Sequence, residues 1–115
     1  MDTSLLAMIE LWKKITTQNG TTSRRLCLGP CFLFYANAWV YGSGVGFLLF
    51  LNGGDDSGEN LASLLIPGND TRQFQPPKPV FYDKGLYVST AWTEGRWTVQ
   101  FVRISELPSL DAGEP

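Results

Sequence analysis

The chain has 115 residues, which is enough for one domain with a single modest core. Its aromatic share of 13%, with 12 glycines and 7 prolines, favours short strands joined by turns over a helical bundle. The formal net charge of −2 and the lack of a basic tract argue against a nucleic-acid partner bound through bulk electrostatics.

Residues 1–22 are predicted to form an N-terminal arm. Apolar residues recur in this segment at helical spacing, namely Leu5, Met8, Ile9, Trp12 and Ile15. The alternation of residues 9–17 would also suit a strand, but a short helix leading into an extended segment is favoured, followed by a polar turn at 18–23. Trp12 is expected to pack either on the chain's own core or on a neighbouring subunit.

Residues 23–105 are predicted to form an all-β domain, an antiparallel β-sandwich of jelly-roll type. The predicted strands cover residues 24–28, 31–39, 45–51, 61–66, 71–75, 85–92 and 96–104. Between them lie turns rich in glycine, proline, asparagine and aspartate, which is typical of such sandwiches. In the last strand, Trp97, Val99 and Phe101 should share one face. Residues 106–115 are predicted to be a flexible acidic tail.

Neither a secretory signal nor a membrane span is predicted. The chain begins with acidic character and lacks a basic region followed by a long apolar core. The longest apolar run, VGFLLFL at 45–51, is far shorter than the roughly 20 residues of a membrane helix and suits a strand buried on both faces. We therefore expect no membrane partner.

The glycine-rich segment 52–60 is the strongest candidate for a metal site, but its spacing argues against one. Asp55 and Asp56 are adjacent, and Glu59 comes too early for the calcium loop of an EF-hand. A polar turn with glycines at positive φ is favoured, although calcium binding by a looser loop stays open. Residues 42–46, GSGVG, lack the following helix that a dinucleotide site needs and are predicted to be a hairpin tip.

Cys27 and Cys31 are the two cysteines of the chain. A disulfide between them would need a sharp reversal at Gly29-Pro30, so two small buried thiols are the favoured interpretation. A zinc site is not expected, because the chain has no histidine and no second cysteine pair to supply the remaining ligands.

No catalytic residue and no cofactor are predicted. Without histidine, a serine, threonine or cysteine nucleophile lacks its usual base. The carboxylate pairs Asp55/Asp56 and Asp83/Glu94 fall in predicted exposed turns, where the shifted pKa values needed for acid–base work are not expected. The sequence therefore predicts a protein that is not an enzyme.

Aromatic residues should supply much of the core, because two packed sheets need large inward side chains. A domain of this size is not expected to bury all of them. The surplus near turns is predicted to be Trp39, Tyr41 and Trp92, which could meet another protein or stack on sugar rings. The candidate interface residues are therefore Leu5, Ile9, Trp12, Trp39, Tyr41 and Trp92.

Short motifs follow one another along residues 23–103, at positions 37–38, 52–62, 66–67, 80–81, 84–88 and 98–101. In this order they resemble a loose group of small virion proteins of tailed bacteriophages. The resemblance implies a β-sandwich that serves as a structural part of the particle, located in the virion after assembly in the host cytoplasm.

The role that the resemblance favours is a capsid decoration or cement protein. Such a protein would contact the major capsid protein and its own copies, as a dimer or trimer. A head–tail or tail accessory protein, with neck or tail proteins as partners, is the alternative within the same class. From a different class, a host-surface or glycan-binding module would use Trp39 and Trp92 as stacking platforms.

Overall fold

A computed structural model describes residues 3–106. In this range the chain forms one α-helix, nine β-strands and a closing 3-10 turn. The elements are α1 (Thr3–Lys13), β1 (Thr16–Gly20), β2 (Arg24–Leu28), β3 (Cys31–Val40), β4 (Gly46–Asn52), β5 (Glu59–Ile66), β6 (Asp70–Phe74), β7 (Val80–Tyr82), β8 (Gly85–Ala91), β9 (Gly95–Arg103) and the turn Ile104–Glu106. Apart from Glu106, the predicted tail at 106–115 lies outside the described residues.

The strands form two antiparallel sheets that pack face to face. Sheet A has the order β1-β9-β3-β6, with β7 also paired to β3, and sheet B has the order β2-β8-β4-β5. The chain changes sheet at most connections, and in each sheet an early strand lies beside a late one. This nested order is that of a jelly roll, so the predicted antiparallel sandwich is confirmed.

The core lies between the two sheets. The predicted inward face of β9 is confirmed, because Trp97, Val99 and Phe101 are all buried. The two polar atoms on the largest core side chains have partners: the Trp97 indole N–H donates to the Thr22 carbonyl at 3.0 Å, and the Tyr82 hydroxyl donates to a β4 carbonyl at 3.1 Å. Satisfied polar tips allow these large side chains to be buried without an unpaired donor.

The segment at 16–20, assigned from the sequence to the arm and its following turn, is part of the sandwich. It forms β1, which pairs with β9 at the edge of sheet A. Its sequence, TTQNG, lacks the apolar alternation of a strand because an edge strand is half solvated. Gly20 is required beside the core, since a Cβ there would lie 2.4 Å from the Trp97 ring.

The helix favoured for the arm is present as α1, and it projects from the sandwich. Leu5, Leu6 and Trp12 are 47%, 45% and 63% exposed, while Ile9 is half-buried. Two residues link α1 to β1, and the described molecule is elongated, measuring 57 × 31 × 20 Å. The apolar stripe of α1 is therefore not absorbed into the chain's own core.

Two connections differ from the sequence-based prediction. Residues 41–45 are not a hairpin tip, because β3 and β4 belong to different sheets and this segment carries the chain between them. The hairpin of sheet B is the β4–β5 connection at 53–58, and none of its glycines has positive φ. Glycine serves close packing there, since a Cβ on Gly58 would lie 2.6 Å from the Asn52 carbonyl oxygen.

The edge of sheet A opposite β1 is divided between two short strands. β6 pairs with Ala36–Val40 of β3 and β7 pairs with Cys31–Leu33. The residues between them, QPPKP at 75–79, hold three prolines, which have no N–H to donate to a ladder. β7 was not among the predicted strands, because three residues next to prolines carry too little pattern.

Alkaline pH should weaken the fold through two buried groups. Burial, helped by the neighbouring Cys27 thiol, raises the pKa of Cys31 from 9.0 to about 12, and burial also raises the pKa of Tyr82 above its usual value. Both groups ionise more readily in the unfolded chain, so their contribution is complete below about pH 9 and is lost as pH rises towards 12.

We therefore expect a melting temperature that is level from about pH 6 to 8 and falls progressively above pH 9, measured by circular dichroism. Cys31→Ala should lower the melting temperature at neutral pH but flatten its decline above pH 9. An equally steep decline in the variant would contradict the assignment to Cys31.

Candidate interaction surfaces

Besides single exposed residues such as Leu28 and Val45, the described chain presents two groups of large apolar side chains to solvent. The first is the arm stripe, which we define as Leu5, Leu6, Ile9 and Trp12 of α1. The second is the sheet B patch, which we define as Phe47, Leu49, Leu61 and Leu65 on the outer face of β4 and β5. Contiguous exposed apolar surfaces of this kind mark places where another molecule binds.

The sheet B patch follows from strand alternation. Phe47 and Leu65 are direct cross-strand neighbours and are 44% and 56% exposed. Leu49 lies one step along β4 on the same face, opposite Ser63. Leu61, also exposed, shares the outer face of β5 with Ser63 and Leu65 by strand alternation, next to a register shift between Phe50 and Leu51. The intervening residues of both strands point inward and fill the core, namely Leu48, Phe50, Leu64 and Ile66.

This patch was not among the predicted interface residues. The run at 45–51 was interpreted as a strand buried on both faces, but in a two-layer sandwich only one face meets the core. The sequence does contain a sign of this patch, because β4 and β5 carry apolar residues at both odd and even positions. A two-layer fold can bury the apolar residues of only one of these two faces. An apolar second face on a two-layer domain is a candidate site of contact with another molecule.

β5 also forms an open edge of sheet B. Among the described strands it pairs only with β4. Its sequence, ENLASLLI, has a single charged residue at its start and no lysine or proline, the usual devices that protect an edge strand. The patch and the unpaired edge thus lie next to each other on sheet B.

Of the predicted aromatic residues, Trp39 and Tyr41 are neighbours. The Trp39 and Tyr41 rings have centroids 4.5 Å apart in an edge-on arrangement, and Trp39 is 42% exposed on sheet A. The Arg96 guanidinium lies 6.0 Å from the Tyr41 ring centroid. These three side chains form a small aromatic and cationic cluster on the surface.

Trp92, by contrast, has a structural position. It packs against the core, and its indole N–H donates to the Thr21 carbonyl at 3.0 Å. A Cβ on Gly95 would lie 2.8 Å from its ring, so the fold keeps glycine there to seat the indole. Both Trp92 and the exposed Trp39 lie near turns in the sequence, so this criterion alone could not tell the two residues apart.

A hollow of about 320 Å³ lies between these aromatic residues and the nearby connections. It is lined by Thr21, Thr22, Tyr41, Thr90, Trp92, Thr93, Glu94, Gly95 and Arg96. Hydroxyl groups, two aromatic side chains and both signs of charge suit a small polar ligand, but the hollow is open to solvent.

The acidic hairpin holds the Asp55 carboxylate within its own turn. The Asp55 carboxylate accepts hydrogen bonds from the Ser57 hydroxyl and the Ser57 N–H, which lower its pKa while keeping the group in its own turn. Within residues 3–106, no three acidic or cysteine side chains come together in a way that could hold an ion. Asp83 and Glu94, paired in the sequence analysis, lie beyond opposite ends of β8.

The two cysteine side chains are buried and free of any disulfide, in agreement with the favoured interpretation. The chain reverses between them at Gly29, whose φ is 87°. The Cys27 thiol donates to the carbonyls of Leu28 and Gly29 at 3.6 Å. Within the described chain, no helix is both long enough and apolar enough to cross a membrane.

The fold places the chain among jelly-roll β-sandwiches, and comparison with known proteins adds distant similarities. No family model and no curated protein matches the sequence. PirA is similar with a TM-score of 0.42 and 12% identity, covering 73% of this chain and 92% of its own. The pilus protein of Bacillus endospore appendages has a TM-score of 0.39 and 10% identity over 78% and 88% of the two chains.

A third solved structure comes from a virus-like particle. The protein of extra small virus from the prawn Macrobrachium rosenbergii has a TM-score of 0.34 and 10% identity, covering 76% of this chain and 77% of its own. No function is transferred to this chain from any of these three proteins.

Asn52 closes the hairpin end of the sandwich and offers a direct test of the described geometry. Its amide donates to the Asp83 carboxylate at 2.6 Å, and its carbonyl accepts from the Lys84 N–H at 3.0 Å, although the residue is only 8% exposed. Replacing it removes both hydrogen bonds, one of them to a charged group, and empties a nearly buried position. We expect Asn52→Ala to lower the free energy of unfolding by about 1–3 kcal/mol in urea denaturation.

Asn60→Ala is the matched control for this measurement, because Asn60 is an exposed residue of the same type on β5. We expect it to change the free energy of unfolding by less than about 0.5 kcal/mol. Equal effects of the two substitutions would contradict the role assigned to Asn52.

Proposed function

We propose that this chain is a non-enzymatic structural protein of a virus particle, and more closely a capsid decoration or cement protein of a tailed bacteriophage. One observation carries the proposal: a jelly roll that leaves two apolar surfaces, the arm stripe and the sheet B patch, outside its own core. Surfaces of this kind suit lasting contacts between proteins better than turnover of a substrate.

The free-energy cost of exposing apolar surface to water supports an assembled state. Apolar surface in contact with water costs roughly 25 cal/mol per Å², so each uncovered patch favours association. On a shell, a cement protein would place these surfaces against the major capsid protein and against its own copies. Repetition over the shell adds many small contacts together.

The resemblance of residues 23–103 to small phage virion proteins supports the same role. Its motif at 52–62 covers the β4–β5 hairpin and the start of β5, next to the sheet B patch. The protein would then be located in the virion, after assembly in the host cytoplasm. No nucleic-acid partner is proposed, in keeping with the acidic balance of the chain.

Copy number in purified particles tests this function. In virions of the phage that encodes the chain, quantitative mass spectrometry should find it at hundreds of copies, the scale of a repeated shell position. About six or twelve copies, as expected for a ring at the single neck or tail, would support the head–tail alternative instead. Absence of the chain from purified particles would overturn the virion proposal altogether.

A glycan-binding module is the second candidate, because the exposed Trp39 lies beside Tyr41 and Arg96. If sugars stack there, a glycan array should show binding that Trp39→Ala abolishes. Phe81→Ala is the matched control, since Phe81 is an exposed aromatic residue, 48% accessible, elsewhere on sheet A. Binding lost equally in both variants, or no binding by the unmodified chain, would count against this candidate.

A further inference from the structure

We propose that the two apolar surfaces are partners: α1 of one copy docks on the sheet B patch of a second copy, and the two copies exchange their helices reciprocally. The inference deepens the proposed structural role and rests on it. It assigns the occupant of the patch and the oligomeric state, a twofold dimer.

The helix needs a partner to be stable. An isolated helix of 11 residues is marginal in water, because helices of this length rarely recover the cost of nucleation. Leu5, Ile9 and Trp12 stand at positions i, i+4 and i+7, so they form one stripe along the helix. Since Leu5 and Trp12 are exposed in the single chain, the stabilising contact has to come from outside it.

The chain's own sheet B patch is out of reach. α1 joins β1, which lies at one edge of sheet A, whereas the patch is on β4 and β5, on the far side of sheet B. The outer face of sheet B points away from sheet A, which is itself about 10 Å distant across the core. The link, Lys14 and Ile15, adds at most about 7 Å of chain and cannot carry the helix around the sandwich.

The patch matches the arm stripe in length. From Leu5 to Trp12 a helix rises about 10 Å, and from Leu61 to Leu65 a strand extends about 13 Å. A helix laid along β4 and β5 would therefore place its stripe over the whole patch.

Charge fixes the direction of the docked helix. The C-terminal end of α1 and the link carry Lys13 and Lys14, and the hairpin at the Leu61 end of the patch carries Asp55 and Asp56. Lys13 pairs with the exposed Glu10 of its own helix at 3.3 Å, so Lys14 is the residue best placed to face the hairpin. Opposite charges would thus place Trp12 near Leu61 and Leu5 near the Phe47–Leu65 pair.

The geometry of the link favours reciprocal exchange. β1 begins at Thr16, level with Phe101 and Leu33, at the end of the sandwich that also carries the 53–58 hairpin. The helix of each copy therefore leaves its sandwich at the end where the neighbour's helix must arrive. A single short helix is expected to bury less than the roughly 1,200 Å² of a specific interface, and a twofold exchange doubles the area with the same residues.

Sedimentation equilibrium of the full chain tests the exchange. We expect a dimer of the 12.8 kDa chain, and either Trp12→Glu on the helix or Leu65→Glu on the patch should raise its dissociation constant by roughly tenfold or more. Thermal melts at a concentration where all proteins are monomeric should coincide, because both residues lie outside the core. Phe81→Glu, at a position on sheet A that is 48% exposed, is the control and should leave the dimer intact.

A disulfide cross-link tests whether the helix of one copy contacts the patch of the other. With Trp12→Cys and Leu61→Cys placed on separate chains, mild oxidation should join the two chains, whereas Trp12→Cys with Phe81→Cys should not. A monomeric wild-type chain, an oligomer other than a dimer, or a dimer unaffected by both charged variants would overturn the exchange. If the chain is nevertheless abundant in virions, the structural role stands and only the helix exchange is wrong.

Discussion

The burial of Trp97 is the contact on which the rest of the structure depends. Its indole lies between the sheets, with its N–H bonded to the Thr22 carbonyl and its ring directly beneath Gly20. The Arg24 guanidinium lies 5.6 Å from the ring centroid. One side chain from the last strand thus holds the first strand, the connection that follows it and the start of β2.

Much of the fold could be predicted because burial leaves a regular trace in the sequence. β9 alternates between buried and solvated positions, and turn residues mark the ends of β2, β3 and β8 within a few residues. β1 and β7 left no such trace, since one is a polar edge strand and the other has three residues beside prolines. The sheet that each strand joins depends on contacts that are distant in sequence. The local sequence of residues 41–45 therefore resembled a hairpin, although this segment crosses between the two sheets.

The candidate surfaces were predictable only in part, for a related reason. The arm stripe could be found from helical spacing alone, because a helix shows its apolar face within a few turns. Trp39 and Trp92 have similar surroundings in the sequence, and only the fold separates an exposed ring from one fixed by the Thr21 carbonyl. The sheet B patch could be predicted only if the domain was known to have two layers. In the middle layer of a three-layer fold, the same apolar run would be buried on both faces.

The strand order has a consequence for how the chain folds during synthesis. Because β1 pairs with β9, the first strand of the sandwich cannot find its partner until residue 103 has emerged from the ribosome. The other pairings are also mostly distant in sequence, a property of domains that fold in milliseconds to seconds. Throughout that interval the apolar strand β4 is available to other chains. The hairpin strand β5 follows β4 directly in the chain and is the earliest partner that can cover it.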